Sequence, residues 1–495
     1  MELPQPTPEG LAKKAAVVKA LRAKLPADAV LAGGDELIGY ESDGLSAYRQ
    51  QPMVVVLPRS TGEISAAMRV LHALQVPVVP WGAGTGLSGG ALPLGDGVTI
   101  AMSRMNRILE IDFANRCARV EPGVTNLSIT QAVQAQGFYY APDPSSQIAC
   151  SIGGNVAENS GGVHCLKYGV TTNNILGLEV VLADGEVMRI GGKALDDAGY
   201  DLMGLLTGSE GLLGIISEVT VRILPKPETA RALLAVFDAS EAAGQAAADI
   251  IGAGMVPAGM EMMDKLAIEA VEEYAHAGYP VGAEAILLIE HDGPEVEVNH
   301  LLARTEEILR AAGAGEIRVS NSEAERLLLW SGRKAAFPAM GRISPDYYCM
   351  DGTIPRSALP KVLGRIKELS AQYGLRVANV FHAGDGNLHP LVLYDGNVPG
   401  ELEKTEEMGA EILKLCIEVG GVLTGEHGVG IEKRDLMPFQ FGENDLAAME
   451  RVKCSFDGTH LLNPGKMFPQ LHRCAELGKM HVHGGKLPFP NLERF

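Results

Sequence analysis

The chain has 495 residues, 46% hydrophobic and 21% charged, enough to bury a sizeable core and too many for one ordinary domain, so two or three domains are expected. Its 42 Lys and Arg against 61 Asp and Glu leave a formal charge of −19, which repels phosphate backbones and anionic membrane surfaces and argues against nucleic-acid binding. Glycine is the outlier at 59 residues, about 12% against a usual ~7% and without a collagen-like period, so local backbone work is expected of it.

The seven cysteines are scattered, with no C-x-x-C pair, which speaks against a disulfide framework, an iron–sulfur cluster or a zinc finger and for reduced thiols in a cytoplasmic protein. The start, MELPQPTPEG, has no basic region followed by an apolar one, and no stretch reaches the ~18 apolar residues of a membrane span. Gly10 to Lys24 has the spacing of a modestly amphipathic surface helix. Residues 53–58 (MVVVLP) then read as a strand, 60–75 as a helix opened by a Ser60/Glu63 capping box, and 76–80 (VPVVP) as a second strand, together a β-α-β unit. The prolines in VTVRILPKPET (219–229) suggest a boundary. Beyond it, helices at 239–254, 297–313 and 359–373 alternate with apolar strands at 285–290 and 377–383, the pattern of an α+β domain. The expected organisation is a helical segment 1–49, a first domain 50–228, a second 229–425, a C-terminal segment 426–470 and a tail 471–495, whose His481 and His483 read as appendage residues.

The loop after the second strand, WGAGTGLSGGALPLGDG, holds seven glycines between Gly82 and Gly97. Its G-x-G-x-x-G spacing invites a nicotinamide reading, but it runs into Pro93 and another strand instead of a helix, and the Rossmann context fails. What remains is small residues that let backbone N–H groups approach an anion, with Thr85 and Ser88 as hydroxyl donors. Two further segments, 142–171 and 205–223, are of the same kind and carry almost no positive charge, Lys167 excepted. Three such loops imply one long ligand gripped by amides and hydroxyls.

PWGAGTGLSGG, SIGGNVAENSGG and LTGSEGLLGII resemble the FAD-binding domain of the vanillyl-alcohol oxidase and p-cresol methylhydroxylase flavoproteins. HAGDGNLH, GEHGVG, LLNPGKMF and the segment 329–356 are similar to the FAD subunits of that family's 2-hydroxy-acid branch. The resemblance spans about residues 10 to 470. It implies an α+β fold: an FAD-binding domain of two α+β subdomains plus an α+β substrate (cap) domain with an antiparallel sheet. It implies that Gly82, Gly84, Thr85, Gly86 and Ser88 hold the FAD pyrophosphate. Pro144, Ser145, Ser146, Gly153, Gly154, Asn155, Asn159, Gly161 and Gly162 would line the ribityl chain and ring, Glu210 and Ile216 the adenosine side, and Asn463 with Lys466 would return near the flavin. His164, Cys150 and Cys165 raise the question of a covalent flavin, but this branch generally holds FAD without a bond.

Residues 377–383 and 388–394 flank Gly384-Asp385-Gly386-Asn387. A two-residue type I′ turn centred on Asp385-Gly386 would set His382 directly opposite His389, Cβ atoms ~5 Å apart, as a two-imidazole metal grip. In LTGEHGVG, Glu426 and His427 are adjacent and point in different directions, so one can bind metal while the other faces a substrate. The resemblance assigns them: His382, His389 and Glu426 to a divalent metal, with zinc the expected ion, and His427 to the base. A metal with open positions would lower the pKa of a substrate hydroxyl, His427 would take the proton, and the Cα hydride would pass to flavin N5. Arg333 could fix the carboxylate bidentately, with Arg342 and Tyr347 as weaker candidates.

Relatives acting on 2-hydroxydicarboxylates tend to carry a lysine where this chain has Cys349, which favours a short, small anionic 2-hydroxy acid, glycolate or D-lactate. With no cluster motif of its own, the chain must pass electrons on, and the resemblance implies a second FAD-binding subunit and an iron–sulfur subunit, peripheral at the inner face of the membrane. The competing readings are a D-lactate dehydrogenase, an oxygen-using oxidase, a non-catalytic flavin-binding subunit, which would not need the histidine hairpin, and a zinc hydrolase, which would leave the glycine loops unexplained.

Overall fold

The computed structural model describes residues 1, 3–194 and 198–469; the tail histidines His481 and His483 lie outside the described residues. The apolar run Val54–Val56 forms a fully buried strand, and the helix Thr61–Leu74 follows it. Ser60 Oγ accepts from the Glu63 N–H at 3.3 Å, while the Glu63 carboxylate reaches back to the Arg59 N–H at 2.8 Å, one residue before the usual capping-box donor. The helix buries Ile64, Ala67, Met68 and Leu71, the i, i+3, i+4, i+7 stripe of a helix packed on a sheet.

The expected β-α-β unit has a third strand inserted in it. Val54–Val56 and Val78–Trp81 lie in one sheet, each paired in parallel with Val98–Ala101 between them. The N-terminal helix Lys14–Arg22 is less superficial than its composition implies, because Val17 and Leu21 are fully buried. A second sheet of five antiparallel strands runs in the order Ile108–Asp112, Cys117–Val120, Ile215–Arg222, Ile175–Val181, Val187–Gly191. These two sheets and their helices form the two α+β units of the first half.

The second half is built on one seven-stranded antiparallel sheet, in the order Ile317–Val319, Thr229–Phe237, Ala285–Gly293, Gly259–Asp264, Arg376–Phe381, Pro390–Tyr394, Asp346–Cys349. Alternation along these strands feeds two cores. Leu233, Ala235 and Phe237 pack with the helices Ser240–Gly252, Glu295–Ala311 and Leu359–Tyr373, while Ala232 and Leu234 pack on the other face with Lys265–Ala275 and Glu323–Lys334. This second face carries the functional side chains.

Polar contacts join the halves. His164 Nδ1 lies 2.9 Å from Asp143 and its Nε2 3.3 Å from Glu290 in the large sheet. Glu290 also accepts from Arg326 at 2.8 Å and from the Trp330 indole. Lys167 bonds Asp292 at 2.5 Å, so the lysine of the second glycine segment serves this junction. Burial opposes a charge on His164, yet Asp143 and Glu290 raise it to about 10; burial likewise opposes ionised Glu290, yet His164 and Arg326 bring it down to about 2.

The imidazolium therefore contributes stability that is complete below its ordinary 6.5 and lost as pH rises through about 10. The Glu290 contribution is complete above 4.5 and lost as pH falls through about 2. Replacing His164 with Gln is expected to cost about 3 kcal/mol at pH 6, since two carboxylates lose their cation. Denaturant unfolding from pH 7 to 10 should show the wild-type protein losing stability more steeply than the variant; parallel curves would refute the clasp.

Candidate active site

The three glycine segments meet at a cavity of about 440 Å³. Gly82, Gly84, Thr85 and Gly86 line it from the first loop; Pro144, Ser145, Ser146, Gly153, Gly154, Asn155 and Gly162 from the second; Glu210 and Ile216 from the third. Gly84 holds φ +68°, and a Cβ at Gly82 would stand 2.5 Å from Ser151 Oγ, so larger residues would distort the wall. The loops bring backbone amides and hydroxyls but no Lys or Arg to the cavity, the donor set for a diphosphate held without ion pairing.

Other expected contacts are placed behind the wall. Ser88 is fully buried, donates to the His427 carbonyl at 2.9 Å and accepts from the N–H groups of Ile431 and Glu432. Asn159 ends the helix Ile152–Glu158 in the left-handed conformation and accepts from the Thr172 N–H. Gly161 leaves room for the Glu426 carboxylate. Asn463 and Lys466 bond the Gly90 carbonyl from below, at 2.9 and 2.7 Å. Glu210 reaches the cavity, but its carboxylate is occupied by the N–H groups of Val429 and Gly430 at 2.7 and 2.6 Å.

Of the three side chains considered for a flavin bond, only Cys150 lines the cavity. Burial pushes its thiol up, and its sulfur accepts from Asn155 at 3.4 Å. Both ring nitrogens of His164 are committed to carboxylates.

The same cavity is also lined by Arg333, His382, His389, Glu426 and His427. The expected hairpin register is corrected here. His382 pairs with Asn387, and Asn379 with Pro390, so the turn holds four residues, 383–386, with Gly386 at φ +86° accommodating it. Asp385 caps the Asn387 N–H at 3.0 Å. His389 is thus diagonal to His382, not opposite. A shift of this size preserves the face, and the rings still meet edge-on with centroids 5.0 Å apart.

The ligand atoms of His382, His389 and Glu426 lie within 4.8 Å of one another. Glu426 Oε1 is 3.3 Å from His382 Nε2 and 3.4 Å from His389 Nε2. Both nitrogens of His389 are buried without a hydrogen-bond partner, and burial pushes this imidazole down to about 4. Burial alone would raise Glu426, but the bond from His382 and the neighbouring histidines hold it at about 2. Burial would lower His382, and Glu261 with Glu426 override it upward. A neutral imidazole, a carboxylate and a second imidazole facing one point are a donor set that fits a divalent metal. His427 stacks on His389, centroids 4.8 Å apart.

Two anchors had no part in the sequence reading. Asp351, fully buried, accepts from the N–H groups of Gly425 at 3.2 Å, Glu426 at 3.3 Å and His427 at 2.9 Å. Glu261, 1% exposed, bonds both His382 and Arg333. Glu261 lies in an apolar strand and Asp351 just beyond the end of another, where an isolated buried carboxylate must find partners; that was the available signal. Arg342 lies over the Tyr274 ring, Tyr347 packs edge-on against Phe337, and neither lines the cavity. Cys349 is buried in the second core.

Residues 52–191 match the FAD binding domain family, and 226–467 match the C-terminal domain of FAD linked oxidases. The glycolate oxidase subunit GlcD of Escherichia coli (strain K12) is 59% identical over 97% of each chain. The chain belongs to the GlcD family of FAD-linked oxidases. Its Bacillus subtilis relative of the same name is 43% identical over 87% of this chain and 92% of its own. A D-lactate dehydrogenase of Anaerostipes hadrus is 32% identical over 88% and 94%. Among solved structures, 4-ethylphenol oxidase from Gulosibacter chungangensis superposes with TM-score 0.76 at 20% identity, covering 94% of this chain and 98% of the other. That likeness bears out the α+β flavoprotein architecture with its antiparallel sheet. The protein is an FAD-linked oxidoreductase, and FAD is its cofactor.

A Cβ at Gly425 would collide with the Asn387 amide and the Thr353 hydroxyl, displacing the loop that carries Glu426 and His427. Gly425→Ala is expected to slow flavin reduction by about 100-fold, the effect of a ~1 Å misplacement, with FAD still bound. Stopped-flow absorbance checks both, and an unimpaired rate would mean that the loop position is unimportant.

Proposed function

We propose that this chain oxidises a short 2-hydroxy acid, glycolate or D-lactate, to the 2-oxo acid. The observation that carries the reading is the buried, unpartnered His389 beside His382 and Glu426, on the wall of the cavity that the glycine loops line. The two relatives' names, a glycolate oxidase subunit and a D-lactate dehydrogenase, support the substrate class.

Arg333 presents a buried Nη1 with no partner at the cavity and binds the substrate carboxylate. His427, with Nε2 3.9 Å from Glu426, accepts the hydroxyl proton. His382, His389 and Glu426 would hold a divalent metal, zinc by their chemistry, which when bound would make that hydroxyl more acidic. FAD, which the glycine loops would hold, would supply the acceptor for the Cα hydride. Phe337, edge-on to His389 at 6.0 Å, excludes water on that side. Among the described residues, Arg333 and Lys334 are the Lys and Arg side chains lining the cavity, and Lys334 stands 3.7 Å from Asp143. A second substrate carboxylate would find no free cation, which favours monocarboxylates.

Electrons leave through a second FAD-binding subunit and an iron–sulfur subunit; the word subunit in the relatives' names supports an assembly. Those partners would hold the chain at the inner face of the membrane.

Anaerobic glycolate or D-lactate is expected to bleach the flavin spectrum, and D-2-hydroxyglutarate to do so at least tenfold more slowly; no bleaching by any of them sinks the proposal. His427→Ala should keep its FAD and lose about 100-fold or more in reduction rate, as expected for a lost general base, whereas preserved reduction would refute its role.

A further inference from the structure

The strand Gly259–Asp264 runs Gly-Met-Glu-Met-Met-Asp, so Glu261 is its one carboxylate between flanking methionines. Met262 pairs with Phe381 and Met263 with Val380. The same register puts Glu261 opposite His382, both side chains on the face that packs against the helix Glu323–Lys334. Helix and hairpin therefore reach one carboxylate from two directions, and each of its oxygens has a separate task. Oε1 bonds His382 Nδ1 at 2.7 Å. Oε2 accepts from Arg333 Nε at 2.7 Å, with Nη2 2.6 Å away.

Each bond fixes an orientation. An imidazole that gives its Nδ1–H to a carboxylate keeps Nε2 as the ligating atom, and His382 Nε2 faces Glu426 at 3.3 Å. A guanidinium that hydrogen-bonds one carboxylate oxygen through Nε, with Nη2 beside it in ion-pair contact, leaves Nη1 for another anion, and Arg333 Nη1 is buried without a partner in a side chain that lines the cavity. A 2-hydroxy acid carries its hydroxyl and carboxylate on adjacent carbons, so the groups that receive them must stand at one spacing.

We propose that Glu261 is a positioning residue that sets the distance between the His382 ligand and the Arg333 carboxylate clamp, and so selects hydroxyl and carboxylate on adjacent carbons. The inference rests on the proposed 2-hydroxy-acid reading and deepens it.

The test uses the FAD-loaded chain with Glu261→Gln, Glu261→Asp, Arg333→Lys and wild type, stripped with chelator and titrated with Zn²⁺ by calorimetry. KM and kcat for D-lactate and 3-hydroxybutyrate are then measured after reloading. Glu261→Gln is expected to keep FAD at one per chain, weaken Zn²⁺ binding by about 10- to 100-fold and raise the D-lactate KM at least tenfold. Arg333→Lys should raise KM with Zn²⁺ affinity unchanged. Glu261→Asp keeps the charge on a shorter arm and should lose less of both; it decides the matter if the Gln variant does not fold. Preference for D-lactate over 3-hydroxybutyrate should narrow in both Glu261 variants. Loss of one handle without the other, or neither, overturns the proposal. Wild-type protein that takes no Zn²⁺ or is reduced by neither D-lactate nor glycolate removes the underlying reading and this inference with it; if glycolate alone reduces it, glycolate and 3-hydroxypropionate replace D-lactate and 3-hydroxybutyrate, and normal wild type beside normal variants removes this inference alone.

Discussion

One buried carboxylate, Asp351, holds the catalytic wall in register. It follows the strand Asp346–Cys349, accepts the consecutive N–H groups of Gly425, Glu426 and His427, and takes the Asn387 amide at 2.8 Å. Lys433 stands 3.6 Å away. Burial works against its charge, yet His427 and Lys433 hold it well below the usual carboxylate range. Three segments distant in the chain, the hairpin, the strand and the Glu426-His427 loop, therefore share one electrostatic centre. Removing it would leave orphaned N–H groups and a buried lysine, the costly direction in which to break such a network.

The same arrangement recurs behind the glycine loop. Lys466 is 2% exposed and caps the Gly90 and Leu92 carbonyls. Burial pushes it down to about 7 against Asp43, Glu158 and Glu210. Asn463 bonds the Gly90 and Glu210 carbonyls, and Ser88 ties the loop to the backbone at His427. Buried polar side chains behind the loop satisfy its carbonyls and fix its course, so amides and hydroxyls can face the cavity. A protein of net charge −19 thus prepares a site for anionic molecules with few cations on the wall, which limits the charge that must be desolvated.

Much of this was legible because it is local. The 60–75 helix, the strands around it and the glycine segments depend on neighbours in sequence, and they lie where the motifs indicate. The histidine hairpin shows where locality stops. Two-residue and four-residue turns displace the strands by a step that keeps every side chain on its face, so alternation alone could not choose between them. Asp385 bonding the Asn387 N–H and Gly386 in the left-handed region decided it, and the paired histidines survived the change of register. Val98–Ala101 entering between two strands joined by a helix is a similar case, since strand order is set by packing and not by spacing.

By itself the sequence determined the kind of chemistry available: amide-rich loops for a diphosphate cofactor, a pair of histidines on one face, and an adjacent Glu426 and His427. Periodicity and residue type carry that information within a few tens of residues. Only the tertiary structure decided that Glu261 serves both His382 and Arg333, that Asp351 gathers the Glu426-His427 loop, and that Ser88 and Glu210 brace this loop while Asn463 holds the glycine loop. These partners are separated by 72 to 373 residues along the chain. Buried charges must be paired wherever they fall, but which pairs form is settled when the sheets close on one another.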